Sequence, residues 1–358
     1  MSDILLLLNS GLGDAVQALP AIAELHRLLP DRRFVLFGSA VNVELLRSPQ
    51  IADEFHILKR GQSLMRYLFT HPSALFRRYD RAFSFYSSNG GRLSLLKKAG
   101  LLGSCFSILT RNNTAYEPDK FLPDNADKSE VDMNLDLLEL AGLKPDRSAV
   151  SDLFLTDAER RYGQEYFHGN APVLIHPGWT KNGHLKALPL SFTAKLIRRF
   201  PAEKNIPAKL LLGPEEFLFW REQDGGRTIP AEHIIPGGDF TMRELASVLG
   251  ACRRVIAADT GPAHIAGAAG ADVTVIFSAS SPVHGELHCR SNVIHIPPAS
   301  GLSCSGCVHR GVKSCQQETQ ICFAADADTI LKMPNLESGG RNAILTDNIE
   351  TADRSTTR

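Results

Sequence analysis

The 358-residue chain carries no net charge, since 39 Lys and Arg balance 39 Asp and Glu. That balance removes any global electrostatic ground for binding nucleic acid, which calls for a basic surface. No apolar run reaches the roughly 18 residues that a membrane-spanning helix needs. The opening MSDILLLLN has a short apolar run with no basic residue before it. It therefore lacks the layout of a secretory signal and reads as a buried strand. Without such a signal, the seven cysteines do not point to a disulfide framework. No short-period repeat is present either. Together these absences predict a soluble, cytoplasmic globular protein that touches a membrane only peripherally.

Apolar residues make up 43% of the sequence, ample for the two cores expected at this length. Strand-length apolar runs alternate with helical patterns: ILLLL then AVQALPAIAELHRLL, RFVLFG then AVNVELLRS, RAFSFY then GRLSLLKKAG. A second series runs PVLIHPG, LPLSFTAKLIRRF, AKLLLG, MRELASVLGA, RRVIAAD and VTVIF. This alternation predicts βαβ units on parallel sheets, hence an α/β protein of two doubly wound, Rossmann-like domains in tandem. A turn-rich stretch between them gives domains of 1–155 and 156–334, followed by a polar, aperiodic tail at 335–358 that reads as disordered. The cleft between the domains is the expected site, because ligands of such sheets bind beyond the carboxyl ends of the strands.

DTGPAHIAGAAG, beginning at Asp259, joins the end of one apolar run to a small-residue helix. Gly261 permits a sharp turn, and Pro262 suits a first helical position, where its missing amide proton is not needed. The free amides of such a helix start, with the positive end of its dipole, favour phosphate. Asp259 and Thr260 shape the turn. His264 lies one helical turn on, either as a structural histidine or facing the same pocket.

NSGLGDAVQALPAI after the first run places Gly11, Gly13 and Asp14 at a strand-to-helix turn. Val16 stands where a GxGxxG fingerprint needs its third glycine, so a dinucleotide cofactor is not indicated. Asp14 is either an N-terminal cap or a general base. In HPGWTKNGHLKALP, His176, Gly178, Lys181, His184 and Lys186 share one polar loop, whose lysines are either solvated or aimed at a leaving pyrophosphate. Glu215 and Glu216 in LLLGPEE either cap a helix or accept from a ribose hydroxyl. Cys304 and Cys307 form a CxxC pair followed by Cys315 and Cys322. Four thiolates suit a closed, structural zinc or iron site; the alternative is four reduced thiols in a loop.

Between Lys59 and Arg111 stand ten basic residues (Lys59, Arg60, Arg66, Arg77, Arg78, Arg81, Arg92, Lys97, Lys98, Arg111) against one acid, Asp80. Such a segment is a solvated face, or it meets an acidic partner or an anionic membrane surface.

GLGDAVQALPAI, HPG followed by a lysine and a proline, GDFTMRELASVL, DTGPAHIAGAAG and the C-terminal cysteine cluster occur in this order. In that order and spacing, over most of residues 3 to 330, the chain resembles glycosyltransferase family nine, the ADP-heptose heptosyltransferases. The resemblance implies a GT-B arrangement: two facing Rossmann-like domains, an N-terminal one for the acceptor and a C-terminal one for an ADP-sugar. It implies an inverting transfer of heptose, or a related sugar, to a hydroxyl of a cell-envelope saccharide, as in lipopolysaccharide biosynthesis, without a catalytic metal. On this reading Asp14 takes the acceptor proton, and Lys186 with the amides after Asp259 neutralises the departing diphosphate. The basic segment would then receive an acidic saccharide or glycolipid. In some relatives similar cysteine clusters hold iron. Relatives often have Trp before the proline of the lysine loop, where Leu188 stands, and Phe-Gly where this chain has Phe277 and Ser278. Two other readings use the same residues: a non-catalytic nucleotide-sugar-binding scaffold, and a metal or redox protein centred on the cysteines.

Overall fold

The computed structural model of the chain describes residues 3–58, 77–86, 96–98, 100–109, 119–179, 185–224, 226–309, 311–312, 314–315 and 321–333. The proposed tail at 335–358 lies outside them, as does most of the GRLSLLKKAG segment. The first sheet holds β1 (Asp3–Leu8), β2 (Phe34–Gly38), β3 (Glu54–Ile57), β4 (Tyr79–Ser84), β5 (Leu102–Leu109) and β6 (Lys120–Pro123). The second holds β7 (Val173–His176), β8 (Ala208–Leu212), β9 (Ile234–Pro236), β10 (Arg254–Ala258), β11 (Val273–Ile276) and β12 (Val293–Ile296).

Every strand pairing is parallel, in the orders β3-β2-β1-β4-β5-β6 and β12-β11-β10-β7-β8-β9. Counted from its own first strand, each sheet thus has the order 3-2-1-4-5-6 of a doubly wound fold. Central strands of such sheets are covered on both faces, which is why β1 and β10 are unbroken runs of buried residues. In the first sheet Ile4 pairs with Phe34 on one side and Arg81 on the other; in the second, Ala257 pairs with Val275 and His176.

One apolar cluster crosses from the first half into the second, joining Leu6, Val16 and Val131 to Leu245, Ala263 and Ile265. Its centre is the contact between two helices that start at the two sheets, Leu12–Gln17 and Gly261–Ala269. A β-carbon on Gly261 would come within 3.0 Å of the Leu12 β-carbon, so this approach leaves no room for a side chain there. The contact brings two helix N-termini to face one cleft.

Candidate active site

Strand order reverses between β1 and β4 in one sheet and between β7 and β10 in the other. At such points neighbouring connections diverge to opposite faces and leave a crevice beyond the strand ends. The two crevices here open into one cavity of about 740 Å³. Gly11, Gly13 and Asp14 line it from the end of β1, His176 and Gly178 from the end of β7, and Asp259, Thr260, Gly261 and His264 from the end of β10. Pro262, Lys186 and Glu216 complete the set of residues singled out in the sequence that reach this space.

On the second-domain wall the organising group is Asp259, buried at 4% exposure. Its Oδ2 lies 2.8 Å from Lys186 Nζ, and its Oδ1 lies 3.5 Å from His264 Nε2. Burial alone would raise the pKa of this carboxyl, but Lys186 and His264 outweigh it and hold the group below the ordinary carboxylate range. A fixed anion thus orients two nitrogen donors at the start of the Gly261–Ala269 helix, whose first-turn amides point the same way. Gly178 takes φ of +73°, and a β-carbon there would sit 3.1 Å from Thr260 Cγ2, so the HPG turn packs directly on the DTG turn. Ser278 donates to the Leu185 carbonyl at 3.1 Å, fixing the residue before Lys186. Leu188, where relatives often carry Trp, is buried, and its carbonyl accepts from the Trp179 indole at 2.6 Å. His176 Nε2 lies 3.4 Å from Glu216 Oε1, and Glu216 Oε2 accepts from the Gly213 amide at 2.8 Å. The histidine and the cap are therefore one unit.

The first-domain wall is acidic. Asp14 Oδ2 accepts from the Gly11 amide at 3.0 Å, so the carboxylate does cap its helix while it lines the cavity. Glu130, Asp124, Tyr86 and Gln17 share that wall and were not evident from sequence. Glu130 is 4% exposed, and its Oε1 has no hydrogen-bond partner among the described residues. Burial, then the charges of Asp14, Asp124 and Asp259, push its carboxyl well above the ordinary range, with Lys186 opposing. Tyr86 donates to Asp124 Oδ1 at 3.2 Å, and burial foremost raises its hydroxyl pKa. The SEVD sequence at 129–132 announces only a helix start, and Ser129 does accept from the Asp132 amide as an N-cap. That capping signal conceals the neighbouring carboxyl's place in the site. His284 and His309 also reach the cavity, with ring centroids 4.5 Å apart; burial, then His284, lowers His309 to about 4.

Other sequence-selected residues are not brought here. Glu215 is exposed and lines no part of the cavity. One position along the first helical turn rotates it about 100° from Glu216, which turns back to the Gly213 amide. Lys181 and His184 lie outside the described residues. Of the basic segment, Lys59, Arg60, Arg66, Arg92 and Arg111 also lie outside them. Arg77 pairs with Asp3 and Glu54, Lys97 pairs with Asp119, and Arg81 donates to the Ala141 carbonyl. Arg78 and Lys98 are exposed.

The cysteine run adjoins the site through Val308 and His309, which line the cavity, and the Val308 amide donates to the Ala279 carbonyl at 3.2 Å. Burial raises the Cys322 thiol, opposed by a backbone hydrogen bond, with Cys307, Cys315 and Cys304 adding to the rise. Among the described residues, however, no three His, Cys, Asp or Glu side chains are placed to hold a metal ion together. As positioned, the cluster does not fit the expected zinc or iron site: Cys322 is buried while Cys315 is exposed. Among the described residues no helix is long and apolar enough to cross a membrane.

Comparison with known proteins places this geometry. Residues 119–314 match the model of glycosyltransferase family 9 (heptosyltransferase). The structure is similar to that of ADP-heptose LPS heptosyltransferase II of E. coli, with TM-score 0.67 and 18% identity over 84% of this chain and 91% of that one. It is similar to a family 9 glycosyl transferase of Veillonella parvula DSM 2008, with TM-score 0.66 and 18% identity over 82% and 86%. It also resembles the iron-containing dodecameric glycosyltransferase TibC of enterotoxigenic E. coli H10407, with TM-score 0.51 and 14% identity over 86% and 66%. At these identities the likenesses establish a shared two-domain α/β fold. A comparison with curated protein sequences found no match. Because the family match spans more than half of the sequence and the fold agrees with it, the chain belongs to glycosyltransferase family 9, the heptosyltransferase family.

Proposed function

We propose that this glycosyltransferase moves heptose, or a closely related sugar, from an ADP-sugar to a hydroxyl of a cell-envelope saccharide, with inversion at the anomeric carbon. The observation that carries the reading is the division of one cavity between a first-domain carboxylate, Asp14, and a second-domain cationic helix start, with Lys186 and His264 held by Asp259. Group transfer needs such opposed chemistry: a base for the nucleophile on one wall and positive charge for the leaving group on the other.

In the proposed reaction the acceptor hydroxyl oxygen attacks the anomeric carbon while its proton passes to Asp14. The bond from that carbon to the diphosphate oxygen breaks, and ADP leaves with the electron pair. The negative charge growing on the diphosphate meets Lys186, His264 and the amides after Asp259, interactions that strengthen as the bond breaks. His176 and Glu216 sit where the nucleoside part would lie, beyond β7 and β8. ADP and ADP-sugar complexes of E. coli heptosyltransferase WaaC, which shares the fold, support an ADP-linked donor. The exposed Arg78 and Lys98 suit an acidic acceptor held at a membrane face. Incubation of the purified chain with ADP-heptose and candidate acceptors, with detection of released ADP, tests the proposal; ADP must appear only when an acceptor is present.

A further inference from the structure

Four charged or polar side chains line the first-domain wall around Asp14: Glu130, Asp124, Tyr86 and Gln17. Tyr86 and Asp124 are bonded to each other. Glu130 is different: it is 4% exposed, its Oε1 is unpartnered among the described residues, and it reaches the same cavity as Asp14. A buried polar atom without a partner carries a desolvation penalty of about 1–3 kcal/mol. Most buried polar atoms of native proteins are hydrogen-bonded, and of the first-domain side chains lining this cavity Glu130 alone carries such an unpartnered atom among the described residues, which makes it a candidate for a ligand contact.

The backbone holds this group in place. The Glu130 amide donates to the His284 carbonyl at 3.3 Å, and His284 Nδ1 lies 3.1 Å from the Lys128 carbonyl. Gln17 Nε2 lies 3.4 Å from that same His284 carbonyl, and Asn134 donates to the Gln17 carbonyl at 3.0 Å. Glu130 is thus fixed where the two domains meet.

We propose that Glu130 is an acceptor-binding residue: its carboxyl donates an O–H hydrogen bond to an oxygen of the incoming saccharide and so holds the attacking hydroxyl against Asp14. This rests on the glycosyl-transfer reading above and adds a residue to it. The titratable groups acting on Glu130 include Asp14 from the Leu12–Gln17 helix, Asp124 after β6, Asp259 after β10, Lys186 from the lysine loop and Tyr86 after β4. Three of them are carboxylic acids, so burial and these charges together favour the protonated form of Glu130. The two carboxyls then divide the work: Asp14 accepts the proton of the attacking hydroxyl, while Glu130 donates a hydrogen bond. A polyhydroxylated sugar supplies oxygens for both.

The test uses the full chain with Glu130→Gln and Glu130→Ala. A carboxyl whose folded pKa lies above its unfolded value favours folding below the unfolded pKa and loses that contribution as pH rises towards the folded one. Glutamine keeps a neutral donor of the same shape and does not titrate. Without any substrate, the unfolding temperature of Glu130→Gln should therefore match the parent near pH 4.5 and exceed it by a margin that widens towards pH 8. With the acceptor identified by ADP release, Glu130→Ala should raise acceptor KM roughly tenfold, the factor for loss of about 1.4 kcal/mol. Glu130→Gln should restore it to within about threefold, with ADP affinity unchanged in both. A pH-independent difference in unfolding temperature, or an acceptor KM indifferent to Glu130→Ala, overturns the proposal. Loss of ADP binding in the parent chain would instead overturn the glycosyl-transfer reading, while the substrate-free comparison still decides the state of Glu130.

Discussion

Replacing Asp259 with Asn removes the anion that holds Lys186 and His264 while preserving shape. Breaking a buried ion pair by removing one partner costs about 3–5 kcal/mol, because the other charge is left uncompensated. Lys186 keeps 23% of its side chain exposed and can turn to water, so a loss nearer 2–3 kcal/mol, at most the low end of that range, is expected. For a unit the size of one domain this lowers the unfolding temperature by roughly 5–10 °C. The difference has a definite pH dependence. The depressed carboxyl stabilises the fold above its unfolded pKa, and that contribution fades as pH falls through the acid range. The gap between variant and parent should therefore begin to narrow only below about pH 4 and close as pH falls on through the depressed folded value. The functional effect is separate: with Lys186 and His264 no longer aimed, turnover of ADP-heptose should fall by about 10²–10³-fold, the scale of losing one preorganised charge-stabilising group. Calorimetric unfolding across pH and steady-state ADP release measure the two effects. An Asp259→Asn chain with parental unfolding temperature at pH 7 and parental turnover would refute the claim that this carboxylate organises the donor wall.

Three further outcomes follow from the same geometry. Asp14→Ala should cut transfer by about 10²–10⁴-fold while ADP affinity, measured by titration calorimetry, stays close to parental. Lys186→Ala should raise donor KM and lower kcat together, since a cation on the diphosphate serves both ground and transition states; an unchanged donor response would place the ammonium in solvent. Gly261→Ala should weaken ADP binding and lower the unfolding temperature, because the added carbon meets Leu12 at 3.0 Å and parts the two helix starts that frame the cavity.

What could be read from the sequence was the interior of each sheet. β1, β2, β7, β8, β10 and β11 are largely apolar runs bounded by turns, and each announces itself; β4 shows through the alternation in RAFSFY. The edge strands β3, β6, β9 and β12 do not. Each is three or four residues long and none is buried along its whole length, since an edge strand needs no continuous apolar run to be stable. β5 is an inner strand whose Gly and Ser residues break the pattern. The second-domain wall was legible for the same reason: its residues directly follow inner strands, where glycine and proline mark the turn. Glu130 was not. It belongs to a helix far from Asp14 in sequence, which packs on the Leu12–Gln17 helix and whose first amide bonds the His284 carbonyl of the second domain. Glu215 shows the converse failure, since adjacent glutamates look alike until the helix turns one of them outward.

The central claim is that a first-domain base and a second-domain cationic helix start act on one bond. The most direct measurement is acceptor-dependent ADP release from ADP-heptose by the parent chain beside Asp14→Ala, with the anomeric configuration of the product determined by NMR. The account predicts ADP released only with acceptor, an inverted product, and near-complete loss in Asp14→Ala despite intact ADP binding. Equal ADP release by the two chains, or a product with retained configuration, would contradict it.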